Sequence, residues 1–366
     1  MSDGSEHSGP GGSVDTPRIR LAIAGLGRSG WNIHAHALRN LPSMFTITAV
    51  MDPDAERCAQ AHAEFGCAVF DDYDAMLATA RGDRQGFDAV VVASPSHLHA
   101  AHACSAMAIG LHVVAEKPFA TESADAERML DMAHAGGVVL APFQNRRFES
   151  HYRKVREIID SGALGEVVLI RMCWHRFTRR WDWQAVREMG GGALYNNGTH
   201  LIDQALPLLG DAETEVFIDL RRGLSVGDAD EHMKMVLKPD HGPTIDIEYT
   251  NAAAFEQDRW YVLGTSGGLV GTQDRLRWKT VDWESMPPRP LDLGPAAGRK
   301  YPGEDIDWRH HEWSQPDDDR HPYERFYINL HGAVSRGEAL EVTPESAVRY
   351  VRLLERCQRA AEHALS

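Results

Sequence analysis

Cysteine is scarce in this chain, and what there is forms no pattern. Cys58, Cys67, Cys104, Cys173 and Cys357 include no C-x-x-C pair. That argues against a disulfide framework or a zinc ribbon and for scattered reduced thiols in a cytoplasmic protein. No run of about 18 apolar residues occurs, so no membrane span is expected. Basic charge is in deficit: 38 Lys and Arg against 53 Asp and Glu leave −15 with histidines neutral. An acidic surface argues against nucleic-acid backbones and anionic membranes as main partners. Internal repeats are absent. Residues 1–17, rich in Gly, Ser, Asp and Pro, lack the basic-then-apolar order of a secretory signal and read as a disordered tail.

What is present is ordinary globular composition, 43% hydrophobic and 25% charged over 366 residues, a length that suits about two domains. An apolar strand from Arg18 runs into Gly25-Leu-Gly27-Arg-Ser-Gly30, and a helical stretch, 31–40, follows. A second strand over 45–52 ends on Asp52, 22 residues after Gly30 (52 − 30). A lone G-x-G-x-x-G is weak, but between strand and helix with an acid at that distance it reads as a dinucleotide-binding fingerprint. Gly25 serves the tight turn, Gly27 lets the backbone approach a pyrophosphate, and Gly30 lets helix and strand pack closely. The helix entry at Arg28 and Ser29 offers N–H groups to the anion. Asp52 suits a ribose 2′-hydroxyl and repels a 2′-phosphate, which favours NAD over NADP, although Arg57 lies close by in sequence.

Alternation continues with helices over 54–65, 73–80, 100–109 and 123–135, Ser123 as the N-cap of the last. Strands fall at 68–70, 88–93, 112–115 and 138–141. The expectation is a doubly wound parallel sheet over 18–143, with ligands outside the carboxyl ends of its strands. Gly25, Asp52, Ser94, Glu116 and Asn145 fall at such ends. Lys117, between Glu116 and Pro118, could shuttle a proton if its pKa were lowered. His97, His99 and His102 lack zinc-like spacing, and no metal is expected.

The second half centres on Gly190-Gly-Gly-Ala-Leu-Tyr-Asn-Asn-Gly-Thr-His-Leu-Ile-Asp203. Helical spacing would project Asn196, His200 and Asp203 from one face, presenting an amide beside an imidazole. A capped amphipathic helix with a core histidine is the structural alternative. Helices are expected at 151–161, 323–336 and 344–365, and strands at 165–176, 214–220, 231–237, 244–249 and 260–264. Along 165–176, alternation puts Val167, Leu169, Arg171 and Cys173 on one face and Val168, Ile170, Met172 and Trp174 on the other. Gly264-Thr-Ser-Gly-Gly268 reads as a turn rather than a phosphate loop. Residues 285–320 show little periodicity and read as a long irregular excursion, a lid or an intersubunit arm. His310, His311, Glu312 and His321 in and beside it have no convincing ligand spacing.

These motifs resemble the family of glucose–fructose oxidoreductase, inositol dehydrogenase and the rhizopine-catabolism oxidoreductases (Gfo/Idh/MocA). The resemblance covers Ile19 to the C-terminus. It is carried by Gly25-Leu-Gly-Arg-Ser-Gly30, Ser94-Pro-Ser-His-Leu-His99, Glu116-Lys-Pro118, Asn145-Arg-Arg-Phe148, Ser161-Gly-Ala-Leu-Gly165 and the glycine-rich stretch ending His200-Leu-Ile-Asp203. It implies an N-terminal Rossmann domain, then an α/β domain over 144–366 with a large, mostly antiparallel sheet that mediates a homodimer or homotetramer. It also implies NAD(P)-dependent chemistry on the CH–OH group of a sugar, glycoside or cyclitol. Lys117 and His200 map onto the catalytic lysine and histidine. Asn196 stands where many members carry aspartate, and an amide orients but cannot accept a proton. The cofactor-binding set is then Gly25, Gly27, Arg28, Ser29, Gly30, Asp52, Ser94, His99, Glu116, Lys117 and Asn145. The substrate set is Arg147, Trp181, Trp183, Asn197 and His200. Two alternatives are a glycoside-to-ketosugar enzyme that retains and recycles its NAD, and a non-catalytic sensor of NAD(H) or sugar.

Overall fold

The computed structural model describes residues 18–82, 86–294, 299, 301 and 303–365; the tail expected over 1–17 lies outside them. Six strands, β1 (Ile19–Ala24), β2 (Phe45–Met51), β3 (Ala68–Phe70), β4 (Ala89–Val92), β5 (His112–Ala115) and β6 (Leu140–Pro142), form a parallel sheet in the order β3-β2-β1-β4-β5-β6. β4 reads Ala-Val-Val-Val and is buried throughout, as a strand covered by helices on both faces must be. The order reverses between β1 and β4, so the crevice at their carboxyl ends is where this fold takes a ligand.

The intervening helices α2 (Ala55–Phe65), α3 (Tyr73–Ala78), α4 (His99–Ala108) and α5 (Ser123–Gly136) fall where periodicity put them. Asp54 caps α2 by accepting from the Glu56 and Arg57 N–H groups. Two local expectations are corrected. The helix expected over 31–40 is a widened π-turn, Gly30–Ala35, leading into α1 (His36–Arg39). It carries His34 into bonds with Glu116 and Tyr327. Ser123 is not the N-cap of α5. Its N–H and hydroxyl both bond to Glu355, an acceptor from the far end of the chain.

The second sheet has eight strands: β7 (Val167–His175), β8 (Thr214–Arg221), β9 (His232–Pro239), β10 (Thr244–Thr250), β11 (Trp260–Gly264), β12 (Gly267–Gly271), β13 (Arg275–Thr280) and β14 (Arg309–Ser314). Their order is β14-β13-β12-β11-β7-β10-β9-β8, and only the β7–β10 pair is parallel. The last three strands escaped the sequence reading. Three glycines in five residues mask β12, because glycine disfavours strands and packs nothing. β14 lies inside the 285–320 excursion, so that stretch is irregular only in part; residues 295–298, 300 and 302 lie outside the described ones. Within it, His311 stacks on Trp278, while His321 caps the following helix.

One face of this sheet is buried against α6 (Ser150–Asp160), α7 (Thr199–Leu209) and α9 (Pro344–Leu365). Ile170, Met172 and Trp174 point that way as alternation required, but Val168 is exposed. Each fully buried side chain of this kind contributes about 1.5–3 kcal/mol. α8 (Pro322–Arg336) returns to the first sheet, where Phe326, Tyr327 and Leu330 share a core with Ile19, Leu21 and Phe45.

Candidate active site

The glycine loop divides by what surrounds each residue. Gly25 has φ +98°, and a Cβ there would lie 2.5 Å from the Ala93 carbonyl oxygen. A Cβ on Gly30 would sit 1.8 Å from the Gly25 carbonyl oxygen. At Gly27 a Cβ would meet nothing within 4 Å. Two glycines are therefore demanded by packing, while the third leaves backbone facing open space. Asp52 is buried at the end of β2. Its Oδ2 accepts from the Leu26 N–H at 2.7 Å and its Oδ1 from the Asp54 N–H at 2.9 Å, with Arg57 Nη1 3.5 Å from Oδ2. The Ser94 hydroxyl and both polar atoms of the Gln144 amide are buried without a partner at the same end of the sheet. Orphaned buried polar groups require an explanation. These, with the open backbone over Gly27, fit a dinucleotide held by Gly25, Gly27, Arg28, Ser29, Gly30, Asp52 and Ser94. Gln144 went unnoticed in the sequence, although its place two residues beyond β6 was the available signal.

Lys117 follows β5 with a cis bond to Pro118. Its flanks are braced by side chains that were expected to touch the cofactor. Glu116 is buried, with Oε1 3.2 Å from His34 Nε2 and Oε2 accepting the Lys117 N–H at 2.8 Å. His99 bonds through Nδ1 to the Pro118 carbonyl and through Nε2 to the Ser94 carbonyl, both at 2.8 Å. Both side chains hold the two loops in register. Asn145 is buried at the head of the short helix Asn145–Phe148.

The glycine-rich stretch enters α7 through a π-turn, Leu194–Gly198, not the regular α-helix its spacing suggested. The Asn196 amide donates to Gln184 Oε1 at 2.8 Å and leaves the imidazole alone. Asn197 donates to the Tyr249 hydroxyl at 2.9 Å, and that hydroxyl donates to Asn251 at 2.8 Å. The Asn197 amide nitrogen thus anchors a tyrosine of β10. Arg147, expected from sequence as a substrate contact, is buried in a two-point pair with Asp203. Trp181 and Trp183 stand on the outer loop at 86% and 55% exposure, not folded over His200.

His200 is buried, and its Nδ1 has no partner. Trp174 of β7 lies with its ring centroid 6.4 Å from the imidazole. Burial, with Arg146 and Lys117 adding to it and Glu149 opposing, holds the imidazole well below its ordinary value. Burial also lowers the Lys117 ammonium, helped by Arg28 and Arg146 against Glu116. Lys117 as a whole is partly exposed. Glu149 is shared by Arg146, His151 and Gln204. Burial of Glu149 would raise its carboxyl, but His151, Arg146 and Arg259 hold it far below the usual range. The arrangement offers a neutral buried base, a lowered ammonium beside it and a dinucleotide cradle at the adjoining strand ends.

Comparison with known proteins agrees with that architecture. Residues 19–143 match the model of the oxidoreductase family with an NAD-binding Rossmann fold, and residues 152–270 match the GFO/IDH/MocA C-terminal domain. The chain is 33% identical to the dTDP-3,4-didehydro-2,6-dideoxy-alpha-D-glucose 3-reductase of Streptomyces violaceoruber, over 71% of this chain and 74% of that one. It is 35% identical to the D-glucoside 3-dehydrogenase of Escherichia coli, over 52% of this chain and 54% of that one. The WlbA dehydrogenase of Bordetella pertussis, solved with NADH and UDP-GlcNAcA, superposes with a TM-score of 0.73 at 22% identity, over 95% of this chain and 98% of that one. The chain belongs to the Gfo/Idh/MocA family of NAD-binding oxidoreductases. Among the described residues no helix is long and apolar enough to cross a membrane.

Proposed function

We propose that this protein oxidises or reduces a carbinol carbon of a sugar, glycoside or cyclitol, with NAD preferred over NADP. The observation that carries the reading is His200: a buried imidazole, unpartnered at Nδ1 and held neutral beside Lys117. Bound NAD⁺ supplies the hydride acceptor. The imidazole of His200 takes the hydroxyl proton as the carbinol C–H leaves as hydride, and returns it in reduction; among the described residues no carboxylate is bonded to the ring to compete. Lys117 donates a hydrogen bond to the reacting oxygen, which strengthens as that oxygen gains charge. Asn196 orients substrate from the same wall, fixed by Gln184. Asn145 and the Asn197 carbonyl border the cleft, and Trp181 and Trp183 form an apolar rim for a sugar's C–H face. The preference for NAD rests on the Asp52 carboxylate.

The open face of the eight-stranded sheet carries Phe217, Tyr261 and Leu263, all exposed, around the ion-paired set Arg171, Asp246, Lys234 and Glu248. An apolar surface framing charges suits a self-complementary contact between copies, which supports a homo-oligomer.

A panel of sugars, cyclitols and glycosides with NAD⁺ and NADP⁺, followed at the nicotinamide absorbance, tests the reading. Turnover of at least one polyol is expected, with His200→Asn about 10²–10⁴-fold slower and still binding NADH. No turnover of any polyol with either cofactor would defeat it.

A further inference from the structure

The cleft carries positive charge that hydride transfer does not use. The chain as a whole has a net charge of −15, yet cations crowd His200. Arg146, Lys117 and Arg259 all act on the imidazole, and Glu149 opposes them. Three guanidinium groups surround a single ring, Trp174: Arg146 at 4.4 Å from its centroid, Arg259 at 5.1 Å and Arg176 at 5.2 Å.

Their charges are unequally answered. Arg146 pairs with Glu149, but its Nε is buried without a partner. Arg259 is buried and donates to the Cys173 carbonyl at 3.2 Å and to Gln204 Oε1 at 2.8 Å. Neither acceptor is charged, and the Arg259 Nε is also unpartnered. Burial lowers its guanidinium to about 10, against the opposing pull of Glu149. Arg176 is exposed at the end of β7 and has no carboxylate partner among the described residues. It faces Tyr249 together with Arg180, and Tyr249 bonds to Asn197 in the catalytic turn. Arg176 thus stands over the wall that Trp174 and Tyr249 build beside His200.

We propose that the substrate carries an anionic group, a carboxylate or a phosphoryl group on the sugar, seated against Trp174 by Arg176 and Arg146. This rests on the sugar-oxidoreductase reading above. A neutral sugar leaves Arg176 without a counter-charge, and Arg146 and Arg259 with Glu149 alone between them. An oxyanion forms charge-assisted, two-point bonds with a guanidinium, and the low-dielectric wall strengthens them. Focusing by a positive cleft in an acidic protein also sets an ionic-strength-dependent association rate.

The test is calorimetric binding to the NADH complex, in which an alcohol cannot be oxidised. Matched sets of methyl hexoside, methyl hexosiduronate and methyl hexoside 6-phosphate are used in the gluco and galacto series, with the uronate and phosphate arms telling the two anions apart. In at least one set a charged member is expected to bind about tenfold or more tighter than its neutral counterpart. That advantage shrinks on raising salt from about 0.05 to 0.5 M, and falls below about threefold in Arg176→Met, a surface substitution whose fold is checked by circular dichroism. Charged members that bind no tighter than neutral ones in either series, or do not bind at all, overturn the proposal. So does an Arg176→Met protein that keeps the full preference. A charged sugar that binds with preference but is never oxidised with NAD⁺ or NADP⁺ sinks the oxidoreductase reading and leaves the anion site standing.

Discussion

Arg147 and Asp203 meet through two hydrogen bonds, Nε to Oδ2 at 2.8 Å and Nη2 to Oδ1 at 2.6 Å, with both side chains almost wholly buried. The pair ties the turn after β6 to α7 one helical turn beyond His200. Even so, burial raises the Asp203 carboxyl above its ordinary value despite the guanidinium, a sign of how much the site costs to desolvate. Arg147→Ala leaves that carboxyl buried and alone. It is expected to destabilise the protein by about 3–5 kcal/mol, measured by urea unfolding. Arg147→Met combined with Asp203→Leu removes both charges and should cost less than either single change. A loss under about 1 kcal/mol in Arg147→Ala would show the pair to be slack.

His200 links stability to pH. Its imidazole in the folded chain is held well below the ordinary value of about 6.5, so as pH falls the unfolded chain takes up the proton first. This group costs nothing above about pH 6.5, and stability declines as pH drops from there towards the folded-state value. His200→Asn is expected to lose that part of the decline, so its unfolding midpoint falls less than the wild type's between about pH 7.5 and 5.5. Parallel curves for the two proteins would contradict a depressed His200.

Gly27 and Gly30 make opposite predictions. Alanine at 30 would press its Cβ to 1.8 Å from the Gly25 carbonyl oxygen, so Gly30→Ala should unfold at lower denaturant by about 1–3 kcal/mol or more. Alanine at 27 meets no protein atom within 4 Å. Gly27→Ala should hold stability within about 0.5 kcal/mol while weakening NADH binding, read by fluorescence titration. Equal NADH affinity in Gly27→Ala and wild type would place the pyrophosphate elsewhere.

Gln184 is expected to act on catalysis through Asn196. Its Oε1 accepts the Asn196 amide at 2.8 Å, so Gln184→Met frees that amide to rotate. Losing a hydrogen bond of this kind is worth about 0.5–1.5 kcal/mol, which is about a 2- to 12-fold fall in kcat/KM. Asn196→Asp should be tolerated better, because the Gln184 amide can turn to donate to a carboxylate. Loss in kcat/KM greater for Asn196→Asp than for Gln184→Met would reverse that ranking.

Much of the first domain was legible in the chain. The strand at 89–92 announces itself because a doubly covered strand must be apolar throughout, and G-x-G-x-x-G gains meaning from the strand before it and Asp52 after it. Lys117 and His200 stand out in the chain by motif. The second sheet was harder. Its β12 is glycine-rich and β14 is an edge strand in a polar segment, so neither carries the alternation that marks a half-buried strand.

The sequence by itself determined the Rossmann half, the glycine loop and the residue types of the site, because these follow from local period and spacing. Only the tertiary structure decided what those residues do. Arg147 is a buried brace because Asp203, 56 residues later, faces it. Glu116 and His99 become supports because their partners are His34 and two loop carbonyls. The cations around Trp174 come from the turn after β6, from the start of β11 and from the end of β7, which only the packing of the two sheets' ends brings together. Burial and long-range pairing set a side chain's charge and freedom, and neither is written in the neighbouring residues.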